Sequence, residues 1–160
     1  MDRDGPVATN RRPWGFTLLE ICIVLAIMAI VAAIAAPRYG NAVARYQAEV
    51  AARRIVADLS FARDRARASG ANQVVIFSPD MNEYQIPGVV DLKDSSPNYT
   101  VRLSGDPYNA QLVSADFEGS NSVIFNGYDV PSSGGAVVVK TPLLYKTVVI
   151  DQDTGRAKVQ

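Results

Sequence analysis

The sequence predicts an α+β fold in which a long N-terminal α-helix packs on antiparallel β-sheets. Three observations in the 160-residue chain carry this prediction. Residues 16–36 form an apolar run, and apolar residues recur at helical spacing as far as residue 69. Residues 71–160 instead contain short apolar runs separated by Gly, Pro, Asn and Asp. Runs of that kind are typical of antiparallel strands, so we expect helix and sheet in separate parts of the chain.

Composition removes several classes of function. The chain has 16 basic residues, 16 acidic residues, one cysteine and no histidine. Without histidine there is no Ser-His-Asp or Cys-His catalysis and no histidine pH switch, and one cysteine forms no internal disulfide. The sequence also contains no phosphate-binding glycine loop followed by lysine. We therefore predict that the chain is not an enzyme and holds no metal and no cofactor.

Residues 16–36 are predicted to form a membrane helix. These twenty-one residues, at about 1.5 Å each, would span roughly 31 Å, about the thickness of a bilayer core. Arg11 and Arg12 come just before the run, so the positive-inside rule places the N-terminus in the cytoplasm. A buried core helix is the alternative, but the remaining chain is too short to cover so long an apolar cylinder.

Glu20 interrupts the apolar run. A carboxylate at the centre of a membrane helix costs about 2.5–3.5 kcal/mol on insertion scales, and less near the end of the span. The seventeen residues after Glu20 contain no Lys or Arg that could neutralise it. The functional interpretation is a partner outside this helix. The structural interpretation is a glutamate that stays protonated or reaches the membrane interface.

The hexapeptide Gly15-Phe16-Thr17-Leu18-Leu19-Glu20 lies between a short basic leader and the apolar run. In that context it closely resembles the processing site of type IV prepilins. The resemblance implies cleavage between Gly15 and Phe16 by a prepilin peptidase and N-methylation of the new Phe16 amine. It also implies that Glu20 draws the N-terminal amine of a neighbouring subunit. That amine is mostly protonated at neutral pH, so the two buried charges would offset each other as a pair.

Two other targeting signals compete with this interpretation. Ala33-Ile34-Ala35 resembles a signal-peptidase site, although the apolar region of a secretory signal runs 7–15 residues and lacks glutamate. Arg11-Arg12 resembles a twin-arginine signal, which Pro13-Trp14-Gly15 fits poorly. The mature mass distinguishes the cleavage sites, because cleavage after Gly15 keeps the apolar helix and cleavage after Ala35 removes it.

Residues 37–70 are predicted to form an amphipathic stem. Pro37 lacks an amide hydrogen and is expected to kink the helix without ending it. Gly70 is the predicted helix stop. The stem carries seven arginines against three acidic residues. We favour a solvated helix face with ordinary pairs, such as Arg54 with Asp58, over a dedicated binding patch.

Residues 71–160 are predicted to form a β-rich head. Strands are expected at 73–77, 83–86, 99–103, 122–125, 136–140, 145–150 and 156–159, with a long surface loop or crossover at 104–121. Asp153-Thr154-Gly155 is interpreted as a turn. An aspartic-protease loop would need a second carboxylate copy, and a calcium loop from Asp151 would need a glutamate beyond the chain's last residue.

The end of the chain carries a second resemblance. Ile124-Phe125-Asn126-Gly127, the turn at Gly134-Gly135 and Thr154-Gly155-Arg156 resemble the C-terminal half of GspH/FimT-type minor pilins. The two resemblances imply a type IV pilin-like lollipop, with a long kinked helix and a β-rich head. They also imply a minor pseudopilin of a type II secretion system that supports protein export from a position near the tip of the pseudopilus.

The resemblance further implies a location and partners. Residues 1–15 would be a cleaved leader. The precursor would be a single-pass protein of the bacterial inner membrane, with a cytoplasmic N-terminus and a periplasmic head. Its partners would be prepilin peptidase, other minor and major pseudopilins, and a secreted substrate or the outer-membrane secretin complex.

The alternative is a FimT-like minor type IV pilin that binds DNA for uptake or primes pilus assembly. Gly155-Arg156-Ala157-Lys158 resembles the Gly-Arg-x-Arg ending of that group, with Lys158 replacing the second arginine. Lysine lacks the planar fork of arginine. The head has six basic residues against ten acidic ones, and DNA affinity rests mainly on phosphate neutralisation. Nucleic acid is therefore not the expected partner, and Arg156 and Lys158 are candidate contacts to DNA or to a protein.

Overall fold

The computed structural model describes residues 15–91 and 95–160, so leader residues 1–14 lie outside the described residues. Helix α1 comprises Leu18–Ser69, 52 residues, which confirms the long helix predicted over residues 17–69. Pro37 lies within α1, and a kink there stays a prediction. Gly70 follows the helix with a φ of 64°, a left-handed conformation that glycine adopts without steric cost from a Cβ.

The chain divides into two compact units, one ending at Tyr39 and the other comprising Gly40–Gln160. In the first unit, every side chain described on α1 is exposed. In the second unit, the rest of α1 is buried along one face and packs with the strands.

Eight strands follow α1 in the second unit. They are β1 Gln73–Ser78, β2 Glu83–Pro87, β3 Asn98–Arg102, β4 Gln111–Asp116, β5 Ser122–Phe125, β6 Gly135–Lys140, β7 Tyr145–Ile150 and β8 Ala157–Val159. A short 3₁₀ turn, Pro79–Met81, connects β1 to β2. Seven of these strands are predicted by the sequence, each to within one residue at either end.

Strand β4 contradicts the prediction of a loop or crossover over residues 104–121. It pairs with β6, and the register shifts between Leu112 and Ser114. Such a bulge inserts one unpaired residue and breaks the alternation of apolar and polar side chains. Val113 is consequently 42% exposed beside the buried Leu112, which explains why a period-two pattern is not visible in this strand.

The strands form two antiparallel four-stranded sheets, in the orders β3-β2-β1-β5 and β4-β6-β7-β8. Both inner faces contribute to one core with α1. The helix residues of this core lie along one face of α1 and include four small alanines that allow close approach: Ala51, Ala52, Ile55, Leu59, Ala62, Ala66. The large side chains of the core come from the strands and the loop after β4: Phe77, Tyr84, Phe117, Phe125. The predicted α+β class is confirmed.

Candidate functional site

The predicted processing and assembly residues lie at the exposed start of α1. Gly15 and Phe16 precede the helix, and Phe16 is 78% exposed. Glu20 is the acidic residue of the first turn. Among the described residues, one helix is long and apolar enough to cross a membrane, and none of its apolar stretch is buried within the chain. An apolar helix surface this large is exposed to water only at a high cost, so it requires lipid or other helices around it.

Thr17 is a site residue that the sequence analysis does not single out. Its Oγ1 accepts a hydrogen bond from the backbone N–H of Glu20 at 3.2 Å. Thr17 is therefore the N-cap of α1 and Glu20 occupies the third helical position. Thr-x-x-Glu is the capping-box pattern, which is the sequence signal that identifies this pair. The Glu20 charge also lies near the positive end of the helix dipole, where an anion is stabilised.

Arg156 and Lys158 lie beside the turn that leads into β8. Lys158 is opposite Val149 in the β7–β8 pair, and both basic side chains are exposed. The Arg156 carbonyl accepts a hydrogen bond from Asp151 N–H at 3.0 Å. The pKa of Asp151 is lowered, chiefly by hydrogen bonds from Thr154 and more weakly by the Lys158 charge. A carboxylate held ionised near Lys158 opposes a phosphate, so this geometry does not favour DNA.

The predicted turn at Asp153-Thr154-Gly155 is confirmed. Asp151 Oδ1 accepts hydrogen bonds from Thr154 N–H at 2.8 Å, from Thr154 Oγ1 at 2.8 Å and from Asp153 N–H at 3.1 Å. The carboxylate therefore organises the turn. Within residues 15–91 and 95–160, no group of three or more acidic or cysteine side chains is arranged to hold a metal ion.

Gly155 lies where this turn packs against α1 and against the loop after β5. Its φ is 62°. A Cβ at this position would lie 2.6 Å from the Asp129 carbonyl oxygen and 3.3 Å from Arg63 Cδ. Asp129 Oδ2 in turn pairs with Arg67 Nη1 at 3.0 Å. Three separate segments thus meet where only a glycine fits.

A polar cluster connects α1 to the first sheet. Arg54 Nε lies 3.1 Å from Asp58 Oδ2, which confirms the predicted pair. The same oxygen accepts hydrogen bonds from Tyr84 OH at 2.6 Å and from Tyr99 OH at 3.2 Å. Burial, followed by the Asp58 charge, raises the pKa of Tyr84 well above its ordinary value. Tyr84 therefore stays protonated and donates to Asp58, which fixes the sheet against the helix.

The fold defines the class of protein. A long N-terminal helix with an exposed apolar start, and with antiparallel sheets packed on its second half, is the pilin-like architecture. The structure resembles the crystal structure of the type IV minor pilin FimU from Pseudomonas aeruginosa PAO1 with a TM-score of 0.50 and 14% identity. This likeness covers 70% of our chain and 91% of that chain, and it shows the shared fold.

The family follows from sequence similarity. Residues 51–155 match the family of the type II transport protein GspH. Type II secretion system protein H of Escherichia coli K12 is 41% identical over 75 residues, which are 46% of our chain and 44% of that relative. The matched segment thus spans less than half the length of this relative. The chain belongs to the GspH family, whose members are pseudopilins of type II secretion.

Proposed function

We propose that this chain is a minor pseudopilin that is processed after Gly15 and assembled into a type II secretion pseudopilus, near its tip, to support protein export. One observation carries the proposal: an apolar helix start that is exposed throughout its length and contains a single carboxylate is attached to a head of the GspH family. The function is assembly with other pilin-like subunits and not catalysis.

Glu20 is the proposed charge partner for the Phe16 amine of a neighbouring subunit. No basic side chain follows it within the apolar run. Removing one member of a buried ion pair costs about 3–5 kcal/mol, because the remaining charge is left uncompensated. A pair formed between subunits would therefore set their register, since a shift of one helix turn separates the two charges.

The proposed topology follows from the same segment. Residues 16–36 cross the bacterial inner membrane once in the precursor, the N-terminus is cytoplasmic, and residues 71–160 are periplasmic. The division into leader, membrane helix, stem and head, the kink at Pro37, prepilin peptidase as processing enzyme and the secretin complex or a secreted protein as further partners belong to this proposal.

The test compares Glu20→Gln with Glu118→Gln, an exposed glutamate of the head. Each variant replaces the native chain in cells with the complete secretion system. We expect Glu20→Gln to be cleaved and folded normally but to lose incorporation into the pseudopilus, while Glu118→Gln behaves as wild type. Gly15→Leu supplies the unprocessed reference mass. Normal incorporation of Glu20→Gln would contradict the assembly role, and a mature mass inconsistent with a Phe16 N-terminus would contradict the cleavage site.

A further inference from the structure

β3 is an edge strand of the first sheet. Two backbone hydrogen bonds show which residues of each strand direct their backbone groups toward which neighbouring strand. Phe77 N–H donates to the Asn121 carbonyl at 2.9 Å. The backbone N–H and C=O groups of the odd-numbered residues of β1 therefore point toward β5, and those of the even-numbered residues point toward β2. Leu103 N–H donates to the Asn82 carbonyl at 2.9 Å. Backbone N–H and C=O groups alternate in direction along an antiparallel strand, so the backbone groups of Tyr99 and Val101 form the hydrogen bonds to β2.

Thr100 and Arg102 therefore direct their backbone groups away from the sheet. Neither their N–H groups nor their carbonyls have a hydrogen-bond partner within the described part of the chain. Exposed rows of this kind are templates for the addition of a strand, and proteins usually block them. β3 thus presents two donors and two acceptors to solvent.

The other edge strands are protected. Along β5, Ser132 N–H donates to the Ile124 carbonyl at 2.7 Å, and Ser132 Oγ accepts from Ile124 N–H at 3.2 Å. Along β4, the Asn82 side chain bonds Leu112 N–H, and the strand is interrupted by its bulge. β8 has only three residues. Among the described strands, β3 is the one edge left both regular and unblocked.

β3 also lines a cleft of about 590 Å³. The described walls of the cleft are Arg54 on α1, Asp91 and Ser96 between β2 and β3, and residues 105–108. Thr100 and Arg102 are among the residues that line it. Strand addition in such a groove uses main-chain hydrogen bonds for affinity and the walls for side-chain selection.

The β3 strand of a second copy does not fit as the occupant. Two β3 strands paired in the antiparallel sense are related by a twofold axis perpendicular to the sheet. That axis reverses α1, which is buried along the inner face from Ala48 to Ala66. Two stems of opposite direction cannot both be anchored in one membrane, a step that rests on the proposed function. The occupant is therefore not a second β3 strand, and we assign the site to a different chain.

The charges that line the cleft indicate which charge the added segment carries near one of its ends. Among the described residues, the charged ones that line it are Arg54, Glu83, Asp91, Arg102 and Asp106. Both arginines are already paired within the chain, Arg54 with Asp58 and Arg102 with Glu83. Asp106 is exposed and accepts a neutral donor, the Asn109 amide, at 2.5 Å. A basic side chain beside Asp106 would compensate its charge.

We propose that β3 and its cleft form a strand-addition site for an extended segment of a neighbouring pilin-like subunit. The segment pairs antiparallel with β3 through Thr100 and Arg102, and a basic residue near its N-terminal end lies beside Asp106. The contact adds a fifth strand to the first sheet and is separate from the helix packing that Glu20 controls.

The first test measures binding of the peptide acetyl-Lys-Val-Thr-Val-Thr-Val-amide to the full chain in detergent micelles. Amide hydrogen exchange is the readout. We expect Thr100 and Arg102 to exchange fast in the free chain and to become protected on binding, while Tyr99 and Val101 are protected throughout. Methylating the peptide nitrogens on the β3-facing edge should weaken binding about tenfold or more, since several hydrogen bonds are lost. Replacing lysine by glutamate should weaken it as well.

Variants of Thr100 distinguish a loss of peptide binding from a loss of folding. Thr100→Pro removes an outward N–H and leaves the ladder to β2 in place, so it should weaken peptide binding about tenfold. Thr100→Val retains the N–H and should bind as wild type. Protection of Val101 shows that each variant is folded. Absence of peptide binding, or equal binding of the N-methylated peptide, overturns the proposal.

The second test identifies the occupant in cells with the complete secretion system. A photocrosslinking residue is placed by Thr100→benzoylphenylalanine, and Tyr128→benzoylphenylalanine, at an exposed position after β5, is the control. We expect the adduct at position 100 to contain a peptide of another pilin-like subunit. An adduct with a secreted protein or with a second copy of this chain overturns the assignment. Because peptide binding is measured on the purified chain, its failure leaves the Glu20 proposal intact.

Discussion

Replacing Gly155 by alanine tests whether the turn before β8 holds three segments of the head together. The left-handed φ of 62° disfavours a residue with a Cβ by about 1–2 kcal/mol. The new Cβ would also lie 2.6 Å from the Asp129 carbonyl oxygen, so the Asp129 backbone must move. Overpacking of this kind costs about 1–3 kcal/mol. We therefore expect Gly155→Ala to lower the free energy of unfolding by about 2–5 kcal/mol.

Two other glycines separate the contributions. Gly119 has a φ of 85° and nothing within 4 Å of its Cβ position, so Gly119→Ala should show the conformational cost alone, about 1–2 kcal/mol. Gly105 has an open Cβ position and no positive φ, so Gly105→Ala should be nearly neutral. Urea unfolding followed by circular dichroism measures all three variants in the full chain. If Gly155→Ala loses no more stability than Gly119→Ala, the contact with Asp129 does not constrain the turn.

Two further changes test other contacts of the head. Tyr84→Phe removes the 2.6 Å donor to Asp58 and should cost about 1.5–3 kcal/mol in urea unfolding. The exposed control Tyr145→Phe should cost nothing, and equal stabilities would deny the buried bond a role. The pKa of Glu49 is lowered by hydrogen bonds from Arg53 and then Lys146, so its stabilisation is present at neutral pH and is lost as pH falls through that lowered value. Glu49→Gln should cost about 0.5 kcal/mol at pH 7 and progressively less as the pH falls through the lowered pKa; a loss that does not change with pH would contradict this.

Much of the fold can be predicted from the sequence because the patterns that specify it either extend over many residues or depend on close neighbours in the chain. The apolar spacing over residues 17–69 specifies one helix, and Gly70 stops it. The β4 strand is hidden because Val113 bulges out of a strand that already has a mostly exposed face. No periodic pattern can reveal an insertion whose effect is to break the period.

Only part of the candidate site can be predicted from the sequence. Arg54 and Asp58 are four residues apart on one helix, so their pairing follows from helical geometry. Tyr84 and Tyr99 reach Asp58 across 26 and 41 residues, and only the packed sheet brings them there. The free edge of β3 depends in the same way on which strands are neighbours, which sequence periodicity does not specify.

The order of the strands has a consequence for how this head forms. The chain builds three strands of the first sheet, crosses to the second for β4, returns for β5 and then completes the second. Neither sheet is made from a continuous segment, so neither can close before most of the chain is available. Folding that depends on such distant pairings is slow and all-or-none. The head is therefore expected to acquire its core in one late step and to tolerate no C-terminal truncation that removes β6 to β8.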